Sequence, residues 1–226
     1  TARPCVSKAS SGHSSTARLT SFGILAAFKH VEERASASGR IVRDDPRAGA
    51  FSYANLAGKT RRRVETQWTD GDVTMRATPP FTSLGDVQPT RAQKLAAADP
   101  LTQLMRMTLN GQRADLCRQT YHFFDGKQLY DLAFSNPRAA APGAREQRLG
   151  LVNLLRCDVR YIEIAGFKKK PAKKANEGLN RPIMVEFAQV GSTAGPWVLS
   201  TLHAQTPLGP AVIDLNRVTL TGKPPA

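Results

Sequence analysis

The chain has 226 residues, 41% hydrophobic and 22% charged, proportions that suit one β-rich domain or two small ones with a packed core. Its net charge of +14 and pI near 10.3 make a field that attracts anionic lipid, lipopolysaccharide or nucleic acid without choosing among them. No run of about eighteen apolar residues occurs, which excludes a membrane-spanning helix, and three cysteines without a CxxC pair exclude finger-type zinc spacing.

The opening TARPCVSKASSGHSS (1–15) is small, polar and without period, and reads as a disordered or aberrant tail. The chain starts at Thr1 rather than Met, as a processed or truncated chain does, so any signal peptide is expected to be gone already. From Thr16 the composition turns apolar through ARLTSFGILAAF, with Gly23 as a break. Ala27, Val31, Ala35, Ala37 and Ile41 then fall on odd positions, which predicts a long curved strand. A helix over 24–35 is the alternative, favoured locally by alanine and the EER triplet.

DDPRAG (44–49) reads as a turn, and GAFSYANL as a strand with Phe51 and Tyr53 on one face. In TRRRVETQWT, Arg62, Val64, Thr66 and Trp68 fall on one side and Arg61, Arg63, Glu65 and Gln67 on the other, the alternation of a half-wet antiparallel strand. TDGD marks a hairpin into DVTMRA, with Val73, Met75 and Ala77 inward. The pleat splits the arginine run 61–63 between two faces. TPPFTSLGDVQPT (78–90) reads as a loop.

Asp99 offers an N-cap and Pro100 a first helical residue; Leu101, Leu104, Met105 and Leu109 follow at helical spacing, and Asn110-Gly111 stops the helix. Such a stripe is ordinary core packing or, because methionine adapts to irregular shapes, the lining of a ligand pocket formed by Leu104, Met105 and Tyr121. Beyond Cys117, Asp125-Gly126 turns a hairpin between two aromatic-rich strands. Residues 135–147 read as a loop, and LLRCDVRYIEI as a strand with Leu155, Cys157, Val159 and Tyr161 on one face. IMVEFAQV, PWVLSTLHAQ and PAVIDLNRVTL complete the strands, with TPLG turning the last hairpin. Roughly nine to eleven short strands and one substantial helix imply a mainly β fold, an antiparallel sheet that curls on itself as a β-spiral or open barrel. The expected organisation is one domain over 16–220, with the helix against its concave face, and a short tail at 221–226.

Several residues invite chemistry. Asp125, Asp131 and Asp158 are the acids to consider for acid–base work, but Asp125 already has a turn role, and Asp158 lies between Arg156 and Arg160, which suggests a structural ion pair. His122 near Asp125 suggests a triad, yet no GxSxG elbow exists and packing in an aromatic strand accounts for it better. KKKPAKK concentrates Lys168, Lys169, Lys170, Lys173 and Lys174, a segment for anion contact or a solvated loop. It lacks the interleaved aromatics of a single-strand nucleic-acid platform. Cys117 and Cys157 would close a loop of about forty residues if bridged, or would behave as free buried thiols; Cys5 sits in the loose opening.

DPLTQLM, then a cysteine, then FDGKQLYDL, then a second cysteine on a strand ending in GF resemble the domain-of-unknown-function 3108 family of exported bacterial envelope proteins. The likeness covers about residues 16–218, with the DPLT helix and the FDGK hairpin as its specific parts. The resemblance implies periplasmic residence after export, a Cys117–Cys157 disulfide, a curled β-sheet around a helix similar to periplasmic lipoprotein carriers, and no enzymatic activity or cofactor. Two features depart from the family: the patternless opening where members begin with a strand pair, and the KKKPAKK loop. The expectation is a non-enzymatic periplasmic protein that binds lipid, lipoprotein or another hydrophobic envelope component. The alternative is a scaffold in envelope maintenance with a filled core and no small-molecule ligand, and a hydrolase built on scattered acids is the weakest option. Partners are expected to be lipid or an envelope protein, peripheral to a membrane at most, and not nucleic acid.

Overall fold

A computed structural model describes residues 11–20, 32–57, 60–110, 113–168, 183–206 and 209–215. The strands β1 (Ser11–Thr20), β2 (Glu32–Val42), β3 (Asp45–Asn55), β4 (Arg63–Thr69) and β5 (Asp72–Thr78) form a five-stranded sheet in chain order. A second sheet, of six strands, runs through β6 (Thr120–Phe124), β7 (Leu129–Ala140), β8 (Leu151–Ala165), β9 (Ile183–Val190), β10 (Trp197–Thr206) and β11 (Gly209–Asp214). Helices α1 (Arg91–Ala96), α2 (Pro100–Asn110) and α3 (Arg113–Leu116) lie between the sheets in sequence, and α4 (Ala144–Arg148) joins β7 to β8. The mainly β, antiparallel class is therefore as expected, with the strands divided between two sheets. Two compact units are distinguished within the span read as one domain. Unit 1 holds residues up to Arg106 with His122–Leu129 and Ile164–Lys168, and unit 2 holds the rest.

Unit 1 is built on period-two alternation. Ala37, Phe51, Val64, Thr66 and Val73 are buried on one face of the five-stranded sheet, while Ser36, Ser38, Glu65, Gln67 and Thr74 are exposed on the other. Asp70-Gly71 turns β4 into β5, with Gly71 at φ +105°. The turn expected over 44–49 sits at Arg43 and Asp44, both at positive φ, and residues 45–49 belong to β3. Two positive-φ residues match the right-handed twist of a two-residue hairpin, and Asp tolerates that conformation.

The opening is a correction. Residues 11–15, read as tail, belong to β1, which pairs with β2 along its whole length from Ser11↔Ile41 to Thr20↔Glu32. No apolar alternation announces it, because the side chains it buries or half-buries among those described are His13 and Ser15. The His13 ring is held by a 3.0 Å contact with the Arg47 carbonyl. Residues 1–10, the 24–31 part of the strand-or-helix alternative and the tail at 221–226 lie outside the described residues.

Helix α2 begins as its sequence demands: Asp99 Oδ1 accepts from the N–H groups of Leu101 (3.0 Å) and Thr102 (2.9 Å). Its buried side is not the expected stripe. Thr102, Gln103 and Met107 are buried, Leu104 and Met105 are half-buried, and Leu109 is 53% exposed. The helix is oriented by polar contacts that hydrophobic spacing does not register. The Arg106 guanidinium donates to the Pro46 carbonyl (2.7 Å) and to Gln103 (3.2 Å), and pairs with Asp45 (3.1 Å). The short α1, unanticipated in the sequence, is closed by a capping box between Thr90 and Gln93.

The FDG hairpin also belongs to unit 1. Asp125 Oδ1 accepts from the N–H groups of Lys127 (2.8 Å) and Gln128 (2.6 Å), which fixes the turn. A Cβ at Gly126, which sits at φ +94°, would stand 2.6 Å from Thr66 Oγ1 and 2.7 Å from Val64 Cγ1, so only glycine fits. Phe124 packs edge-on to Trp68 within a cluster of Val73, Ala97, Leu129 and Ala165.

In unit 2, Tyr121, Phe134 and Phe187 form a chain of ring contacts at 5.3 and 6.0 Å. Leu151, Leu154, Ala188 and Val190 make a second cluster. The loop expected over 135–147 is shorter, since β7 runs to Ala140 and α4 takes up Ala144–Arg148.

Burial holds the Asp99 carboxyl above the ordinary carboxylate range, outweighing the hydrogen bonds from Thr102 and Leu101 that pull it down. The native chain therefore holds this proton more tightly than the unfolded chain, and ionisation of Asp99 lowers stability as pH rises above about 4. Asp99→Asn keeps the capping oxygen and removes that loss. Its urea midpoint should exceed that of the parent chain at neutral pH and converge with it toward about pH 4. Asp99→Ala should cost about 1–2 kcal/mol.

Candidate functional site

Antiparallel pairing sets opposed residues on the same face of a sheet. On the exposed face of the five-stranded sheet, one row across the strands reads Arg18, Arg34, Ala54 and Arg63. The adjoining row reads Thr16, Ser36, Ser52, Glu65 and Arg76, and the next reads Ser14, Ser38, Ala50, Gln67 and Thr74. Two grooves, about 550 and 500 Å³ in volume, lie on this sheet and share Ser36 and Ser52 in their lining. Their linings carry hydroxyl, amide, carboxylate and guanidinium groups beside Phe51, Leu56, Met75 and several alanines, so they offer polar contacts over a mixed floor.

The charges here are only partly balanced. Glu32 serves two arginines, Arg18 at 3.0 Å and Arg34 at 3.4 Å. Arg63 pairs with Glu65 at 3.0 Å. The signal was present in ERASASGR, where Arg34, Ser36, Ser38 and Arg40 occupy the even positions complementary to the half-buried Ala35 and buried Ala37. The contribution of β1 was not legible, since its polar sequence suggested a tail.

The residues singled out from sequence take other places. Leu104 and Met105 lie in the unit 1 part of α2, and Tyr121 is buried in the unit 2 aromatic chain; none of the three lines either groove. Burial, and secondarily the Asp115 charge, push the Tyr121 phenol up to about 12. Asp125 is held in its turn, and Asp131 is half-buried on β7. His122 is exposed on β6 rather than packed, because its aromatic neighbours Tyr121 and Phe123 take the inward positions.

Asp158 does make an ion pair, but with Arg138 of β7 at 2.5 Å rather than with its strand neighbours. Asn136 Nδ2 also donates to it at 2.9 Å. Arg156 instead pairs at 2.7 Å with Glu186, which is buried beneath it and also accepts from Ser200 Oγ. Lys168 is exposed, and Lys169, Lys170, Lys173 and Lys174 lie outside the described residues.

Cys117 and Cys157 are both fully buried and stand as a disulfide with Cα atoms 5.3 Å apart. The bond ties the turn after α3 to the middle of β8, so the two cysteines form a structural joint in unit 2.

No protein-family model matches this chain, and no curated protein or solved structure matches it.

Two outcomes follow from the geometry of unit 2. The disulfide closes a separation of 40 residues. Replacing both cysteines by alanine should lower the unfolding free energy by about 3–4 kcal/mol in denaturant titrations. The hydrogen bonds from Arg138 and then Asn136 hold the Asp158 carboxyl down to about 2. A carboxylate depressed in this way stabilises the fold above the ordinary carboxylate range, and the effect is lost as pH falls toward that value. An NMR titration should place its midpoint near there, and Arg138→Ala should return it toward the ordinary range.

Proposed function

We propose that this is an exported, periplasmic, non-enzymatic protein that holds an envelope component on the polar face of its five-stranded sheet. The observation that carries the reading is the pair of grooves on that sheet, which share Ser36 and Ser52 and border Arg18, Arg34, Arg63 and Arg76. Such a surface engages head groups, sugars or an anionic segment of a lipoprotein better than acyl chains, which need apolar walls. Export is supported by the buried Cys117–Cys157 pair, since such bonds persist in oxidising compartments. It is supported too by the resemblance of the DPLT helix and FDGK hairpin to the domain-of-unknown-function 3108 family. The scaffold reading has one observation in its favour, the close ring contacts of Tyr121, Phe134 and Phe187, which fill rather than hollow the interior of unit 2.

Fractionation of source cells followed by native mass spectrometry without detergent or reductant tests the proposal. The expected result is a periplasmic protein lighter than the reduced chain by one hydrogen pair, with a polar or anionic adduct that an Arg34→Ser, Arg63→Ser variant loses. A cytoplasmic protein with both thiols free, or an adduct unaffected by those substitutions, would overturn it.

A further inference from the structure

The polar face contains a charge arrangement that folding alone does not favour. Arg18 and Arg34 are directly opposed on neighbouring strands, and like charges in that position destabilise an antiparallel pair. One carboxylate, Glu32, is shared between them. Arg63 stands in the same row two strands beyond Arg34, with the small Ala54 between, and its partner Glu65 belongs to the adjoining row. With strands about 5 Å apart, the three arginines rise from one line at intervals of about 5 and 10 Å. Their side chains are 61%, 59% and 63% exposed, so the existing ion pairs are water-screened and readily exchanged for another anion.

What surrounds the arginines narrows the ligand class. The adjoining row presents the hydroxyls of Thr16, Ser36 and Ser52, and the described residues of these rows include no aromatic side chain. Single-stranded nucleic acid binds on aromatic platforms, which this face lacks. An acyl chain needs a broad apolar floor; the apolar members of the three rows are alanines, and of the larger apolar side chains in the groove linings, Leu56, Met75 and Phe51, the last is only 4% exposed. Cationic groups at intervals with hydroxyls beside them are the complement of an acidic glycan.

We propose that the Arg18–Arg34–Arg63 row and the hydroxyl row beside it bind an acidic glycan, a chain of sugars bearing carboxylate or phosphate groups, laid across the strands. This rests on the reading of the polar face as the ligand surface. Each guanidinium grips a carboxylate or phosphate through paired N–H donors. The serine and threonine hydroxyls both donate to and accept from sugar hydroxyls. The net charge of +14 draws a polyanion toward the chain from a distance.

The test is a fluorescence-anisotropy titration of the full, oxidised chain at fixed physiological ionic strength. The probes are oligogalacturonate, a neutral maltooligosaccharide, inorganic phosphate, single-stranded DNA and phosphatidylglycerol vesicles, the unlabelled ones as competitors. Oligogalacturonate should bind, the neutral oligosaccharide and inorganic phosphate should not compete, and Arg34→Ser with Arg63→Ser should weaken binding about tenfold or more. Arg118→Ser with Arg148→Ser removes the same charge from exposed positions in unit 2 and should change it little. Equal loss from the two double variants would reduce the effect to net charge and overturn the proposal. Tighter binding of vesicles or DNA through the same arginines would overturn the glycan while leaving the polar face as a ligand surface. Binding of no probe through those arginines would overturn both.

Discussion

A slip of one residue between β2 and β3 would send Ala37 and Phe51 to water and turn Ser36, Ser38 and Ser52 toward the core. That exchange is what fixes the register of the five-stranded sheet, and the register in turn aligns the arginine and hydroxyl rows. Rows of arginine and hydroxyl exist only because five strands present their even or odd positions in step. The extra residue Gly49 adjusts the register beyond Ser38, and at that point the backbone comes so close that a Cβ on Gly39 would meet the Arg47 carbonyl and the His13 ring. Core packing on one face thus positions the arginine and hydroxyl rows on the other.

Unit 2 answers a different constraint. β9 is buried along nearly its whole length, Val185 to Val190, and includes the charged Glu186. A buried carboxylate is tolerable only when it is paired and hydrogen-bonded, which Arg156 and Ser200 provide. The disulfide anchors the segment after α3 to the neighbouring strand β8. Both devices are structural; of the aspartates considered for acid–base work, Asp125 is engaged in its turn and Asp158 in its pair with Arg138.

Much of this was legible in the sequence. Val64, Thr66 and Trp68 alternate with Arg63, Glu65 and Gln67, Asp-Gly pairs sit at two of the expected hairpins, and Asp99-Pro100 opens the one long described helix. What escaped was written in polar residues. β1 carries no hydrophobic period because the side chains it buries or half-buries among those described are His13 and Ser15. Helix α2 buries Thr102 and Gln103 because Arg106 and Asp45 orient it, and a count of leucines cannot register that. The arginine row is invisible in one dimension, since Arg18, Arg34 and Arg63 belong to three strands whose alignment only pairing reveals. Leu104, Met105 and Tyr121, singled out by apolar spacing, lie outside the two grooves of the five-stranded sheet.

The central claim is that the polar face of the five-stranded sheet is where this protein meets its ligand. A residue-resolved NMR map of amide shifts during titration with oligogalacturonate tests it most directly. The account expects perturbations concentrated at Thr16, Arg18, Arg34, Ser36, Ser52 and Arg63, with the amides of α2 and of the Cys117–Cys157 joint unmoved. Shifts centred on Leu104, Met105 and Tyr121, or spread evenly over every exposed cation, would contradict it.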